Sequence, residues 1–139
     1  MPDVTVLLVE DNEDDVFAME RAFRKAALSA NLTVLTDGRQ AMDYLSGTGK
    51  YSDRADNPLP SLIFLDLKLP YYNGHELMEW MRDRPILSDI PIVILTGSDE
   101  TSDHQRCVSN GAKDYLVKPS SPEIVRDVVK RFVPLIGAQ

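Results

Sequence analysis

Cysteine is nearly missing from this chain. The single one, Cys107, excludes an internal disulfide, and no second cysteine or histidine stands at metal-ligand spacing beside it. It is expected to be a small apolar filler on a helix. Histidine is scarce too: His75 and His104 match no ligand pattern, and both are expected on the solvated surface. No apolar run approaches the roughly 20 residues that a membrane-spanning helix needs, which excludes a membrane protein of that kind. The opening Met1-Pro2-Asp3-Val4 lacks the basic segment and apolar stretch of a secretory signal, so a cytoplasmic location is expected. Basic charge is also short. With 15 Lys and Arg against 22 Asp and Glu, the net charge of -7 argues against direct binding to nucleic acid or to an anionic membrane surface.

What is present is an alternation of apolar and amphipathic segments in 139 residues, with 43% hydrophobic and 27% charged side chains, as expected of one globular domain over 1–139. Val4 to Val9 is β-branched and apolar, reads as a central strand, and runs straight into the acidic stretch Glu10 to Asp15. A helix follows, with Val16, Met19, Phe23 and Ala26 or Ala27 on one stripe and an acidic first turn that suits the helix dipole. Asn31 to Thr36 is a second strand, and Asp37-Gly38 leads into a helix carrying Ala41, Met42 and Leu45. Gly47 to Pro60, rich in Gly, Ser, Asp, Asn and Pro, reads as a surface loop of a length usually associated with function or mobility. Its Gly49-Lys50 is no phosphate-binding loop, because Tyr44 and Tyr51 stand where that motif requires Gly and Ser or Thr.

The third strand is the run Leu62-Ile63-Phe64-Leu65, ending on Asp66, and a helix from Gly74 to Arg84 is expected after it, closed by Pro85. Ile90 to Thr96 reads as a fourth strand, Asp99 to Asn110 as a polar helix ended by Gly111, and Asp114 to Lys118 as a short fifth strand. Ser121-Pro122 then begins a last helix with the stripe Val125, Val128, Val129 and Phe132. Five strands alternating with five helices imply right-handed crossovers and a parallel sheet covered on both faces, an α/β fold.

A carboxylate at the end of a buried strand needs an explanation. Asp66 alone is explained about as well by capping the following turn as by chemistry. Yet every strand that looks most buried ends in a polar group at the same edge: Glu10-Asp11, Asp66, Thr96 and Lys118. Open α/β sheets bind ligands at that edge. Clustered carboxylates repel until a cation relieves them, and a few hard oxygen donors open to water suit magnesium. A calcium loop of the EF-hand type fails, because Val16 stands where its glycine is needed and a strand precedes the acidic run.

Glu10-Asp11, Asp66 ahead of Leu69-Pro70 and Gly74, Thr96-Gly97, and Tyr115 through Lys118-Pro119 together resemble the receiver domain of two-component response regulators. The resemblance covers nearly the whole chain. It implies the flavodoxin-like, doubly wound sheet of order 2-1-3-4-5. It implies that Asp66 is the phosphoacceptor, taking a phosphoryl group from a phosphohistidine of a partner histidine kinase. Asp11, Asp66, the Lys68 carbonyl and, directly or through water, Glu10 would hold Mg2+. Lys118 would pair with a phosphoryl oxygen, Thr96 would donate to another, and Gly97 would leave room. Thr96 and Tyr115 form the family's switch pair, and the Lys118–Pro119 bond is expected to be cis. Glu10 departs mildly from the family, which more often has Asp there. The group would be lost again by self-catalysed hydrolysis, with no turnover of an external substrate.

No output domain is expected after the last helix, so the signal is expected to leave through contact with a downstream protein. The layout and the long loop most resemble the single-domain regulators that partner bacterial phytochrome kinases. That resemblance implies a homodimer through the face of the fourth helix, fifth strand and fifth helix, with Phe132, Leu135 and Ile136 as candidate additions or as part of the core. Two rival readings are weaker. A pseudo-receiver that only binds partners would be suggested by loss of Asp66, Asp11 or Lys118, and none is lost. An aspartyl phosphatase would want a second aspartate where Lys68 stands.

Overall fold

The computed structural model describes residues 4–97, 101–118 and 121–133. Five strands, β1 (Val4–Val9), β2 (Ala30–Leu35), β3 (Leu62–Asp66), β4 (Ile92–Thr96) and β5 (Asp114–Val117), form one sheet in the order β2-β1-β3-β4-β5. Every neighbouring pair is parallel. The helices between them are α1 (Glu13–Lys25), α2 (Gly38–Ser46), α3 (Gly74–Arg82), α4 (Thr101–Ser109) and α5 (Pro122–Phe132). The parallel sheet is the one the alternation implied, and its doubly wound order is the one the resemblance implied.

Period-two patterning sorts each central strand onto two cores. Leu7, Val9, Ile63, Leu65, Ile92 and Ile94 face one side, where they pack with Tyr44 and Leu45 of α2, Leu77, Met78 and Met81 of α3, and Cys107 of α4. Val6, Leu8, Leu62, Phe64, Val93 and Leu95 face the other, against Met19 and Phe23 of α1 and Val125, Val128 and Val129 of α5. Cys107 is thus the buried filler expected of it. Each such side chain withdrawn from water is worth about 1.5–3 kcal/mol, so the strands are held from both faces. Their ends become fixed points.

Several boundaries differ from the sequence reading. Helix α1 buries Ala26 rather than Ala27, whose backbone turns left-handed at φ 54° just beyond the helix. Strand β2 begins and ends one residue earlier than expected. Helix α3 stops at Arg82, because Arg84 precedes a proline and is extended (φ -119°, ψ 110°). Pro85 opens a helical turn, Pro85–Ser88, closed by Ile90 N–H donating to the Leu87 carbonyl at 3.1 Å. Ile90 therefore belongs to that turn, and β4 starts at Ile92. The partly buried Phe132 packs on the α1–α5 core instead of extending an outer patch. Pro119, Leu135, Ile136 and the expected start of the polar helix at Asp99 lie outside the described residues.

The 47–60 segment is not a loose loop. Gly47 ends α2 at φ 70°, and a short 3-10 turn, Gly49–Tyr51, buries the Tyr51 ring against Tyr44 at a centroid distance of 5.1 Å. Arg54 folds back over the end of α2, donating to the carbonyls of Tyr44 (2.7 Å), Leu45 (2.7 Å) and Asn57 (3.1 Å). The Tyr44 hydroxyl donates to the Pro58 carbonyl at 2.8 Å. The bond to Leu45 satisfies a carbonyl that the helix end leaves open, and the bond to Tyr44 joins the Gly47 N–H already there at 3.2 Å.

Candidate functional site

Register alone brings the polar strand ends together. Val9 pairs with Leu65, so Glu10 and Asp66 stand side by side one residue on. Asp66 pairs with Leu95 and Thr96 with Val117, which puts Lys118 one step past Thr96. The Lys118 N–H donates to the Thr96 carbonyl at 2.7 Å and carries the pairing to the edge. Glu10 is likewise held by its N–H to the Leu35 carbonyl at 2.9 Å. Glu10 (1% exposed), Asp66 (6%) and Thr96 (1%) are buried, and Asp11 is exposed. With Lys68, Gly97 and Lys118 they line one open cleft.

Helix α1 and the β3–α3 connection frame that cleft. Asn12 caps α1, its side-chain oxygen accepting from the Asp15 N–H at 3.0 Å, while the Asn12 N–H donates to Glu10 Oε2 at 3.2 Å. On the other side Asn73 and Glu76 form a reciprocal capping box on α3. Gly74 passes so close to the strand end that a Cβ would lie 2.7 Å from the Asp66 carbonyl oxygen. Gly97 differs: a Cβ there would meet nothing within 4 Å, so the space beside Asp66 on this side is open.

Charge is unbalanced at this edge. One oxygen each from Glu10, Asp11 and Asp66 lie within 4.8 Å of one another. Lys118 Nζ lies 2.5 Å from Glu10 Oε1, 2.8 Å from Asp15 Oδ2 and 3.4 Å from Asp66 Oδ1. Burial pushes the Glu10 carboxyl up to about 7; the hydrogen bond from Lys118 opposes the rise and the Asp66 charge adds to it. Burial likewise raises Asp66, with the Lys118 charge opposing. For Lys118 burial acts to lower the amine, but the hydrogen bonds to Asp15 and Glu10 and the charge of Asp66 outweigh it, and its affinity for a proton rises. The lysine stays charged. Three mutually close carboxylates, partly open to water, form a hard-oxygen donor set that fits a magnesium-like ion keeping several waters.

Two residues depart from the sequence expectation. His75 is buried (6% exposed) and lines a cleft with Asp11, Lys68 and Thr96, because the first turn of α3 folds over the strand ends. Asp15, whose sequence context marks only an acidic helix start, joins Lys118 at 2.8 Å. The available signal was its place in the first helical turn after a strand, where side chains lean back toward the helix N-terminus and hence the sheet edge. His104 is exposed as expected, and its ring stacks on the half-buried Tyr115 at 4.6 Å and 7°.

The response regulator receiver domain model matches residues 6–130. The chain belongs to that family. The receiver is 35% identical over 117 residues to response regulator Rcp1 of Synechocystis, covering 84% of this chain and 78% of the relative. Its fold matches the phosphorylated cyanobacterial phytochrome response regulator RcpA with a TM-score of 0.85, at 27% identity over 96% of both chains. It matches the Mn(2+)-bound form of Rcp1 with a TM-score of 0.80, at 30% identity over 93% of both. Among the described residues of the receiver, no helix is long and apolar enough to cross a membrane.

Proposed function

We propose that this receiver accepts a phosphoryl group on Asp66 from the phosphohistidine of a partner histidine kinase, in a reaction that requires magnesium. The observation that carries the reading is the convergence on one carboxylate: Lys118 Nζ is 3.4 Å from Asp66, and carboxylate oxygens of Glu10 and Asp11 lie within 4.8 Å. An Asp66 carboxylate oxygen attacks phosphorus as the donor P–N bond breaks. The bond's electron pair stays on the imidazole nitrogen, which takes up a proton. No strong base is needed, so positioning and charge neutralisation are the whole task. Asp11, Asp66, the Lys68 carbonyl and, directly or through water, Glu10 would hold magnesium, which when bound would offset the charge of the phosphoryl oxygens. Lys118 reaches one phosphoryl oxygen and Thr96 donates to another. The open space beside Gly97 admits the group.

Output then runs through protein contact. Thr96 shifts toward the phosphoryl group, the Tyr115 ring follows, and the face made by α4, β5 and α5 changes shape. Val108, Val117 and Ile124, on those three elements, are exposed and supply apolar contacts for a homodimer or a downstream protein. Similarity to the phytochrome regulator RcpA supports a phytochrome-type kinase as the phosphoryl donor. Incubation with acetyl phosphate and magnesium, followed by intact mass, tests the reaction. One added phosphoryl group is expected on the wild type and none on Asp66→Asn; an unlabelled wild type or an equally labelled variant overturns the reading.

A further inference from the structure

Lys118 has more acidic partners than its proposed role uses. An ammonium offers three donors, and here they face three carboxylates, two close and one distant. Glu10 and Asp15 lie at 2.5 and 2.8 Å, whereas Asp66 is at 3.4 Å, beyond the usual span of a charge-assisted hydrogen bond. The lysine is therefore drawn toward β1 and α1, away from the phosphoacceptor. Glu10 also belongs to the close carboxylate group, but Asp15 does not. It sits on α1, a helix fixed by the Asn12 cap and by Met19, Ala22 and Phe23 in the core.

We propose that Asp15 is a positioning residue that holds Lys118 back from Asp66, favouring the cation at the carboxylate group and opposing the anion on the phosphoacceptor. This rests on the phosphoacceptor reading above. The two effects follow from one charge. With Asp15 present, the lysine next to Glu10, Asp11 and Asp66 is largely neutralised and repels a divalent ion less. The same carboxylate repels an incoming phosphoryl group and competes with it for a lysine donor. Removing the charge must therefore shift the two affinities in opposite directions. A helix that merely loosened would weaken both.

The test uses the full chain and its Asp15→Asn variant, which keeps the side-chain shape and the backbone bond from Asp15 N–H to Asn12. Magnesium affinity is read by calorimetric titration, and beryllofluoride, a stand-in for the phosphoryl group, is titrated at saturating magnesium. Loss of one unit charge near the surface predicts about fivefold weaker magnesium binding and about fivefold tighter beryllofluoride binding, both shrinking as salt rises. Asp15→Glu keeps the charge and is expected to restore both. Should Asp15→Asn fail to fold, Asp15→Ser removes the same charge and carries the same two expectations. A wild type that binds both ligands, with charge-removing variants that move both affinities the same way or neither, overturns the role of Asp15 alone. A wild type that binds neither overturns the phosphoacceptor reading and this inference with it.

Discussion

Charged groups are withdrawn from water in two regions of this receiver, with opposite results. In the 47–60 segment the half-buried Arg54 meets three carbonyl oxygens, two of them at the negative end of α2, and the Tyr44 hydroxyl meets a fourth. Donors and acceptors match. At the carboxyl edge of the sheet, Glu10, Asp15 and Asp66 share Lys118, Asp11 adds a further charge beside Glu10 and Asp66, and burial pushes two of the carboxyl groups toward protonation. The first region turns burial into stability, and the second leaves an excess of negative charge that a cation would relieve. Burial alone does not distinguish a strut from a site. The balance of partners does.

The comparison can be broken first at Arg54. Arg54→Ala takes the donor from the Leu45 carbonyl and one of two donors from the Tyr44 carbonyl, and is expected to cost about 2–4 kcal/mol in urea unfolding, while phosphoryl uptake by the folded protein stays near wild type. A loss of uptake that outruns the loss of folded protein would erase the separation between the regions. Next in size, magnesium should stabilise the edge by relieving its charge. At 100 times its dissociation constant the expected gain is about 2.7 kcal/mol, returned by a chelator, and a thermal midpoint indifferent to magnesium would count against the donor set.

The smallest effect is the pH dependence of the metal-free edge. The Glu10 carboxyl rises from its ordinary 4.5 to about 7 in the fold, so the native state binds that proton more tightly than the unfolded chain does. Its contribution to stability is full below about 4.5 and is lost as pH rises to about 7. With a chelator present, wild type should lose on the order of 1–3 kcal/mol relative to Glu10→Gln between pH 4.5 and 8. Parallel pH profiles for the two proteins would show that Glu10 is not under tension.

Much of this was legible in the residues. Apolar runs such as Leu62–Leu65 and Val6–Val9 spell burial on both faces, and their polar ends mark one edge. What was illegible depended on contacts across the chain. The Arg54 latch joins positions 9 and 10 apart through backbone carbonyls, which have no residue type to read. His75 looked like surface because a lone histidine in the first turn of a helix carries no sign of what folds over it. Arg84, by contrast, could have been placed outside α3 from Pro85 alone.

By itself the sequence determined the strand–helix alternation, through hydrophobic periods of two and of about 3.6, and, through the resemblance its motifs carry, the sheet order and the polar ends that converge. Only the tertiary structure decided how Lys118 divides itself among Glu10, Asp15 and Asp66. That division depends on distances between α1, β1, β3 and the end of β5, and electrostatic energy follows distance and burial rather than residue identity.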